Sequence, residues 1–492
     1  MRASRFDVSA ASARRYTVLL WGPALVSMLS GCMLGGDRLD LAVDIPPAYR
    51  AAHGPAYAAP PALDWWGAFR SGELTALIQE AQASNLDVAA ATARITQADA
   101  LARIAGAALL PTVNLSGSAT RSKSSSASST GIPTALGGGS SERDSYSASL
   151  SGSYEIDFWG KNRAASRAAE ENAVATRYAQ DVINVTTMAA VANAYFQVLT
   201  AQERLAAARR NLSSGVRVLD LIKQRVDAGT ASALETATQE GLVATVRAAL
   251  PLLEQTLQQN RVALGVLIGR PPEYLRVRGG SLYRLAVPRI TPGVPADLLL
   301  QRPDIRQAEA ALAGAQANVE VARAQMLPSI SLTAQGGYQS ALVSTLFTPD
   351  AAFYSIAASL AQPIFDGFRL QGNLEQQQGR QIELLQLYRK AIVAGFGDVE
   401  NALIAVQQSA VRERLQRDVL DASRRAFTIV DTRLTEGTVD LITVLTTQQN
   451  LIQAEDNLAT ARLARLQAVV SLFQALGGGW TPAPLTRSAK LQ

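Results

Sequence analysis

The feature that most restricts the fold of this chain is an internal duplication. Each copy places a short β-hairpin pattern between very long helical patterns. Two of the three landmark pairs are displaced by the same 208 residues, 354 − 146 and 433 − 225, so the copies stay in register over most of each half. A repeat of this length predicts two pseudo-equivalent halves of one body. The matching segments are LPTVNLSGS from Leu110 and LPSISLTAQ from Leu327, YSASLSGSYEIDFWGK from Tyr146 and YSIAASLAQPIFDGFR from Tyr354, and RVDAGTASAL from Arg225 and RLTEGTVDLI from Arg433.

Between the helical patterns, hydrophobicity alternates with a period of two. One side of each predicted strand is apolar, and the other carries mostly Ser, Thr, Asn or Gln, as in a membrane β-barrel wall between lipid and water. A half-buried soluble sheet alternates in the same way, so the period alone does not decide between them. The apolar positions are Val113, Leu115, Gly117, Ala119, Ala148, Leu150, Gly152, Tyr154, Ile156, Ile330, Leu332, Ala334, Gly336, Tyr338, Ile356, Ala358 and Leu360.

Two hairpins supply only four strands, which is too few to close a barrel. An open four-stranded sheet in lipid would leave backbone groups unsatisfied at its edges, and the bilayer does not tolerate this. Closure therefore requires partner chains. Two chains would give eight strands around an interior filled by side chains, whereas three would give about twelve, wide enough for a channel.

The segments that flank the hairpins predict unusually long helices. Residues 161–214 contain no Gly and no Pro in 54 positions, and a helix of that length reaches about 80 Å. Ala dominates its apolar positions and no clean Leu/Ile heptad runs through it, which favours close packing around a wide tube over a plain coiled coil. Turn signals at Gly229-Thr230 and Gly437-Thr438 end two such runs, and Pro251 predicts a kink in a third.

The N-terminus has the parts of a secretory leader. Arg14-Arg15 precede the apolar run Val18–Met28, and LSGC follows at residues 29–32. The run is too short for a transmembrane helix. LSGC resembles the bacterial lipobox, which predicts that Cys32 is acylated and becomes the first residue of the mature chain. Met33 follows, whereas Asp at that position marks inner-membrane retention in many lipoproteins, so the outer membrane is expected.

Composition argues against catalysis and against nucleic-acid binding. The chain has one Cys and one His, too few for an internal disulfide or an ordinary Cys/His metal site. Asp and Glu are scattered, and nothing in the sequence gathers them into a site. The net charge is +5, of which +3 lies in the first 31 residues, and no basic run is interleaved with aromatics. We expect no cofactor, no metal and no enzymatic activity.

Several motifs resemble the outer-membrane efflux lipoproteins, the TolC-like NodT/OprM group. The most specific is LLLQRPDIRQAEAALAGAQANVEVARAQMLPSISL, residues 298–332. It is accompanied by YEIDFWGK at Tyr154, LIGRPP at Leu267, PIFDGFR at Pro363 and LFQALGGGW at Leu472. The resemblance implies a mainly α protein with membrane β-structure: a homotrimer with a twelve-stranded outer-membrane β-barrel, four strands per chain, and a periplasmic α-helical barrel. It further implies the exit duct of a tripartite efflux pump, beside a periplasmic adaptor and an inner-membrane RND-type transporter that supplies the energy.

The resemblance also implies a periplasmic gate just after the second Gly-Thr turn. Carried over to this chain, the gate residues are Ile442, Thr446 and Gln449, which share one helix face because they are spaced i, i+4 and i+7. Well-studied members have an acidic residue at the Thr446 position and often a basic one at Gln449. Both are neutral here, so an ionic lock is in doubt, and these three residues are alternatively ordinary packing residues at a helix turn.

Two alternatives remain at this point. A type I secretion channel would share the duct architecture, and a structural coiled-coil lipoprotein would share the helices but not the paired hairpins. The sequence does not identify the substrate. The predicted organisation is a signal peptide over 1–31, a lipid-anchored tether over 32–65, helices over 66–109, hairpin 1 over 110–158, helices over 159–270, a connector over 271–297, a helix over 298–326, hairpin 2 over 327–366, helices over 367–477 and a tail over 478–492.

Overall fold

A computed structural model describes residues 40, 42–51, 62–123, 142–288, 290 and 293–480. Within these residues the chain forms eight α-helices, four β-strands and several short 3₁₀ turns. The helices are α1 (Gly72–Ser84), α2 (Leu86–Ala107), α3 (Lys161–Asp227), α4 (Ala233–Leu267), α5 (Pro295–Gln301), α6 (Pro303–Ala324), α7 (Arg369–Thr435) and α8 (Leu441–Ala475). The strands are β1 (Thr112–Lys123), β2 (Glu142–Ile156), β3 (Ser329–Ser340) and β4 (Ala352–Ala361).

The duplication is visible in the helix lengths. Helices α2 and α6 each have 22 residues, α3 and α7 each have 67, and α4 and α8 each have 35. The starts of α3 and α7 are 208 residues apart (369 − 161), as are those of α4 and α8 (441 − 233). The two halves are therefore built on the same framework, with the same offset as their sequence landmarks.

Helix α3 runs further than its Gly-free stretch indicated. It passes through Gly215 and ends at Asp227, just before Gly229 with φ of 75°. Side chains of Gln239, Val243 and Gln448 lie 3.4 to 3.8 Å from where a Cβ of Gly215 would be, which is ordinary van der Waals distance. Neighbouring helices therefore pack against α3 at this glycine, and the helix continues through it. Helix α4 likewise continues through Pro251 as one element.

The described residues divide into two compact units, the first of which comprises residues 103–123, 142–168 and 315–381. Its centre is an antiparallel sheet of order β1-β2-β3-β4. The register aligns Leu115 with Leu150, Gly152 with Ala334, and Ile330 with Leu360, so the apolar positions of all four strands lie on one face. This confirms the alternation read from the sequence.

The other face of the sheet is a ladder of hydroxyls. Across β1 and β2, the Oγ atoms of Ser118 and Ser147 lie 2.8 Å apart, and across β3 and β4 those of Ser331 and Ser359 lie 2.6 Å apart. In the described part of the chain, β1 and β4 each pair along one edge only. The sheet therefore has one polar face, one apolar face and two open edges.

The second unit, which in the described residues covers 42–51, 62–102, 169–288, 290, 293–314 and 382–480, contains the largest apolar core. Aromatic rings anchor it: Trp65 stacks on Phe473 with centroids 5.1 Å apart, and Phe69 packs on Phe196 at 5.1 Å. These contacts join the 3₁₀ turn at 65–69 to α3 and α8. Tyr49 and Ala51 lie against α7, where the Ala51 N–H donates to Glu400 Oε1 at 2.9 Å.

One buried charged cluster breaks the symmetry of the repeats. Glu413 on α7 is 1% exposed and accepts hydrogen bonds from Arg462, Arg465 and Arg417 at 3.1, 2.9 and 2.9 Å. Its equivalent in the first repeat, 208 residues earlier, is the buried Leu205. Burial holds the pKa of the Arg462 guanidinium below its usual value, and the Glu413 charge opposes this shift.

Candidate functional site

The candidate gate residues lie on the exposed face at the start of α8. Ile442 is 76% exposed, and Thr446 and Gln449 are exposed on the same side. The Thr446 hydroxyl donates to the Ile442 carbonyl at 2.8 Å. The structure therefore brings the three predicted residues onto one uncharged face, and it shows the Thr446 hydroxyl donating along its own helix.

The opposite face of the same helix is buried and fixes its position. Leu441 and Val444 pack in an apolar cluster with side chains from α3 and α7. Val444 is fully buried, whereas Ile442, two positions earlier, projects outward. The other buried members of this apolar cluster are Val218, Ile222, Val430 and Leu434. Any movement of the exposed face must therefore move this cluster or separate its helices.

A tight turn leads into the gate helix. Gly437 has φ of 76°, a conformation that glycine adopts without steric cost, and the Thr438 N–H donates to the Arg433 carbonyl at 2.9 Å. Asp440 then caps α8 by accepting from the Thr443 N–H at 2.9 Å and from its hydroxyl at 2.7 Å. These hydrogen bonds hold the pKa of the Asp440 carboxyl below its usual value.

The equivalent turn of the first repeat uses different cap chemistry. Ser232 takes the place of Asp440, and with Glu235 it forms a capping box, in which the Ser232 N–H donates to Glu235 Oε2 at 2.7 Å. Leu234 takes the place of Ile442 and is exposed to a similar degree. The chain thus carries a matched pair of helix starts, of which only the second has the predicted gate residues.

Two polar contacts near the gate were not anticipated from the sequence. Arg217 on α3 forms a two-pronged ion pair with Asp431 on α7, at 3.0 and 3.3 Å. The buried Gln239 amide on α4 donates to the Gly215 carbonyl on α3 at 3.0 Å. The partners are 214 residues apart in the ion pair and 24 apart in the amide contact, and isolated charged or amide residues on long helices carry no spacing signal that would reveal either partner. Both contacts tie together helices that surround the start of α8.

Two further points concern the predicted sites. Cys32, the predicted acylation site, lies outside the described residues. Within the residues that the structure describes, no group of three or more His, Cys, Asp or Glu side chains is arranged to hold a metal ion. Of the two predicted sites, the structure therefore describes the surroundings of the gate residues and not those of Cys32.

Comparison with known proteins shows which family this chain resembles in sequence. Residues 77–270 and 294–478 match the outer membrane efflux protein family. The chain is 40% identical over 464 residues to the pyoverdine export outer membrane protein OpmQ of Pseudomonas aeruginosa, covering 92% of this chain and 97% of that protein. It is 34% identical over 440 residues to the toluene efflux pump outer membrane protein TtgF of Pseudomonas putida, covering 88% and 90%.

A solved structure agrees with these sequence matches. The open state of the MtrE outer membrane channel of Neisseria gonorrhoeae superimposes with a TM-score of 0.81 at 28% identity, covering 91% of this chain and 98% of that one. The two repeats, the four-stranded sheet with one apolar face, and the long paired helices all belong to this architecture. The chain is a member of the outer membrane efflux protein family, with a TolC-like fold and the function of an outer-membrane efflux channel.

Proposed function

We propose that three copies of this chain close into a twelve-stranded barrel in the outer membrane. The observation that carries this proposal is the sheet itself, with an apolar face, a hydroxyl-lined face and open edges at β1 and β4. Joining β4 of one copy to β1 of the next satisfies both edges, whereas an open edge in lipid costs several kcal/mol for each unsatisfied group. The hydroxyl face then lines water.

The assembly is tested by mass. In mild detergent, light scattering corrected for bound detergent should give a protein mass near three times that of the mature chain, whose uncleaved mass is 52.1 kDa. A folded monomer that keeps its strands in detergent contradicts the barrel. A dimer also contradicts it, because eight strands enclose an interior filled by side chains.

Within this assembly, the chain acts as a passive exit duct. It works with a periplasmic adaptor and an inner-membrane RND-type transporter, which supplies the energy, and it passes small molecules to the exterior without catalysis. The relatives named for pyoverdine export and toluene efflux support small-molecule export over protein secretion. Deleting the gene should sensitise cells to a set of small toxic compounds. Unchanged sensitivity together with loss of a secreted protein would instead support a type I secretion channel.

The exposed face of Ile442, Thr446 and Gln449 forms the periplasmic constriction. Three copies of a neutral face meet at the tunnel end, so closure depends on apolar contact at Ile442 and on hydrogen bonding, which salt screens little. Single-channel conductance of the purified trimer should therefore be low. Raised ionic strength should change it only through bulk conductivity.

Two substitutions and a matched control test this constriction. Thr446→Asp places three like charges together and should raise conductance, and Ile442→Ala should raise it by removing apolar contact. Leu234→Ala alters an equally exposed residue at the equivalent helix start of the first repeat, and it should leave conductance unchanged. If both gate variants remain trimeric and conduct like the unsubstituted channel, the gate lies elsewhere on the chain.

Cys32 carries the lipid that anchors the mature chain to the outer membrane. The charged leader, the apolar run and LSGC support this assignment. Mass spectrometry of the N-terminal peptide should find a diacylglyceryl group on the Cys32 thiol and an acyl chain such as palmitate on its amine. An unmodified Cys32, or a mature chain that begins elsewhere, contradicts the assignment.

A further inference from the structure

The turn that follows β4 presents an unusual group of exposed apolar side chains. Ile364, Phe365 and Phe368 are 89%, 80% and 71% exposed. The two phenylalanine rings pack edge to face with centroids 6.0 Å apart and an interplanar angle of 83°. The rings thus contact each other, while most of their surface remains uncovered within the chain.

The backbone holds one of these rings in place at a steric cost. Phe368 has φ of 65°, in the left-handed region that side chains with a Cβ rarely adopt. The equivalent residue of the first repeat, 208 positions earlier, is Gly160 with φ of 78°, which adopts the same conformation without penalty. Asp366 stabilises the turn by accepting from the Arg369 and Leu370 N–H groups, each at 3.1 Å. A bulky ring therefore occupies a position that the fold itself fills with glycine.

In the first repeat the equivalent turn also carries an aromatic pair, in which Phe158 is 50% exposed and packs edge to face on Trp159 with centroids 4.8 Å apart, but the residue with positive φ is Gly160. There Trp159 is half-buried, and its indole N–H donates to the Pro328 carbonyl at 2.7 Å. Its aromatic side chain is thus used for contacts inside the unit. The second repeat instead combines backbone strain with exposure, which indicates a partner outside the chain.

The surface that leads into this turn identifies the partner. Leu360 lies on the apolar face of β4, and Ile356 lies on the same face; both are exposed. In an outer-membrane channel this face contacts lipid, so the residues after the end of β4 lie at the boundary between acyl chains and headgroups. Arg369 follows directly. Its exposed guanidinium lies 3.5 Å from the Asp366 carboxylate and can meet a lipid phosphate by sharing or leaving this ion pair.

We propose that Ile364, Phe365 and Phe368 form a lipid anchor that inserts into the leaflet at the base of the barrel, with Phe368 held in a left-handed conformation to point its ring into the bilayer. The anchor recognises a phospholipid surface. Its placement rests on the proposed barrel and is independent of the gate. The anchor fixes how deep the channel sits in the membrane, and each subunit contributes it from its second repeat only.

Depth-dependent fluorescence quenching tests the anchor. Phe368→Cys is labelled with an NBD fluorophore in the full-length trimer, which is reconstituted into phosphatidylethanolamine/phosphatidylglycerol vesicles that contain a lipid with a nitroxide near its headgroup. The emission at position 368 should be largely lost. The unsubstituted chain, whose one cysteine is Cys32, gives the labelling background. Ile364→Cys serves as a second probe if Phe368→Cys does not assemble.

Two matched probes separate this proposal from the barrel. A label at Ser359→Cys, on the hydroxyl face, should be reached by aqueous iodide and not by the nitroxide lipid. A label at Ile356→Cys, on the apolar face in the middle of β4, should be quenched by a second lipid that carries its nitroxide on the acyl chain. If 356 is quenched and 368 responds only to iodide, the anchor is wrong while the barrel stands. If 368 escapes both quenchers, a neighbouring subunit covers it, and the anchor is again wrong. If 356 is not quenched, the barrel fails and the anchor with it.

Discussion

The buried carboxylate Glu413 should be among the most sensitive positions for stability. Replacing it by leucine reproduces the residue that the first repeat carries at the equivalent position, Leu205. The new side chain is therefore compatible with a long helix of this framework. What it removes is the charge that three guanidinium groups share.

The size of the stability loss depends on which arginine stays buried without a counter-charge after the substitution. Arg417 and Arg465 are partly exposed and can turn toward water, whereas Arg462 is 6% exposed. After the change, Arg462 keeps its hydrogen bond to the Leu285 carbonyl but loses its counter-charge. Breaking a buried ion pair by removing one partner costs about 3 to 5 kcal/mol. For a chain of this length, about 1 to 2 °C per kcal/mol gives a fall in melting temperature of roughly 3 to 10 °C.

Thermal unfolding of the detergent-solubilised protein, followed by helical circular dichroism, measures the effect. The control is Glu254→Gln, which breaks the exposed 3.2 Å pair with Arg209 and should cost about 1 kcal/mol or less. Adding Arg462→Met to Glu413→Leu should restore much of the lost stability, because the uncompensated charge is removed. If Glu413→Leu melts within error of Glu254→Gln, the buried cluster does not carry the energy assigned to it.

Three further outcomes follow from the structure. Gly477→Ala should lower the free energy of unfolding by at least about 2 kcal/mol, because its φ is 73° and a Cβ would lie 2.0 Å from the Gln301 carbonyl oxygen. The control Gly372→Ala, whose Cβ would have no atom within 4 Å, should raise it by up to about 1 kcal/mol in the same melting experiment. In detergent, Phe368→Gly should melt above Phe368→Ala, since only glycine relieves the left-handed strain. Because the pKa of Asp440 is lowered from 3.8, its cap should contribute constantly between about pH 5 and pH 8 and be lost only in stronger acid, so conductance that titrates in that window would point to another group.

The architecture was largely predictable because it is repeated. The 208-residue offset, the period-two segments and the RPDI segment led to the family and the fold, and the family match and the solved relatives confirm both. The lengths of the helices were harder to predict from the sequence. Gly215 suggests an end to α3, but the side chains that pack against it come from α4 and α8, and their approach cannot be read from the local sequence.

The candidate gate was predicted from resemblance to relatives, and its surroundings required the structure. The exposed face of Ile442, Thr446 and Gln449 follows from helical spacing alone. The Arg217–Asp431 pair joins residues 214 positions apart, and many other charged residues on these helices were equally plausible partners. Helical periodicity states which side of a helix a residue occupies, and it does not state which helix faces that side.

The two repeats share a framework and differ, among other places, at two positions where the second repeat bears a cost within the chain. Helix lengths and the φ > 0 glycines at 269 and 477 are shared, since each half must build the same framework. Glu413 and Phe368 depart from their equivalents Leu205 and Gly160, and each departure carries a steric or electrostatic cost within the chain. A cost that one repeat avoids with the same backbone is not imposed by the fold. It must therefore be offset by a contact that only the second repeat makes: the Arg462 guanidinium for Glu413, and the bilayer for Phe368.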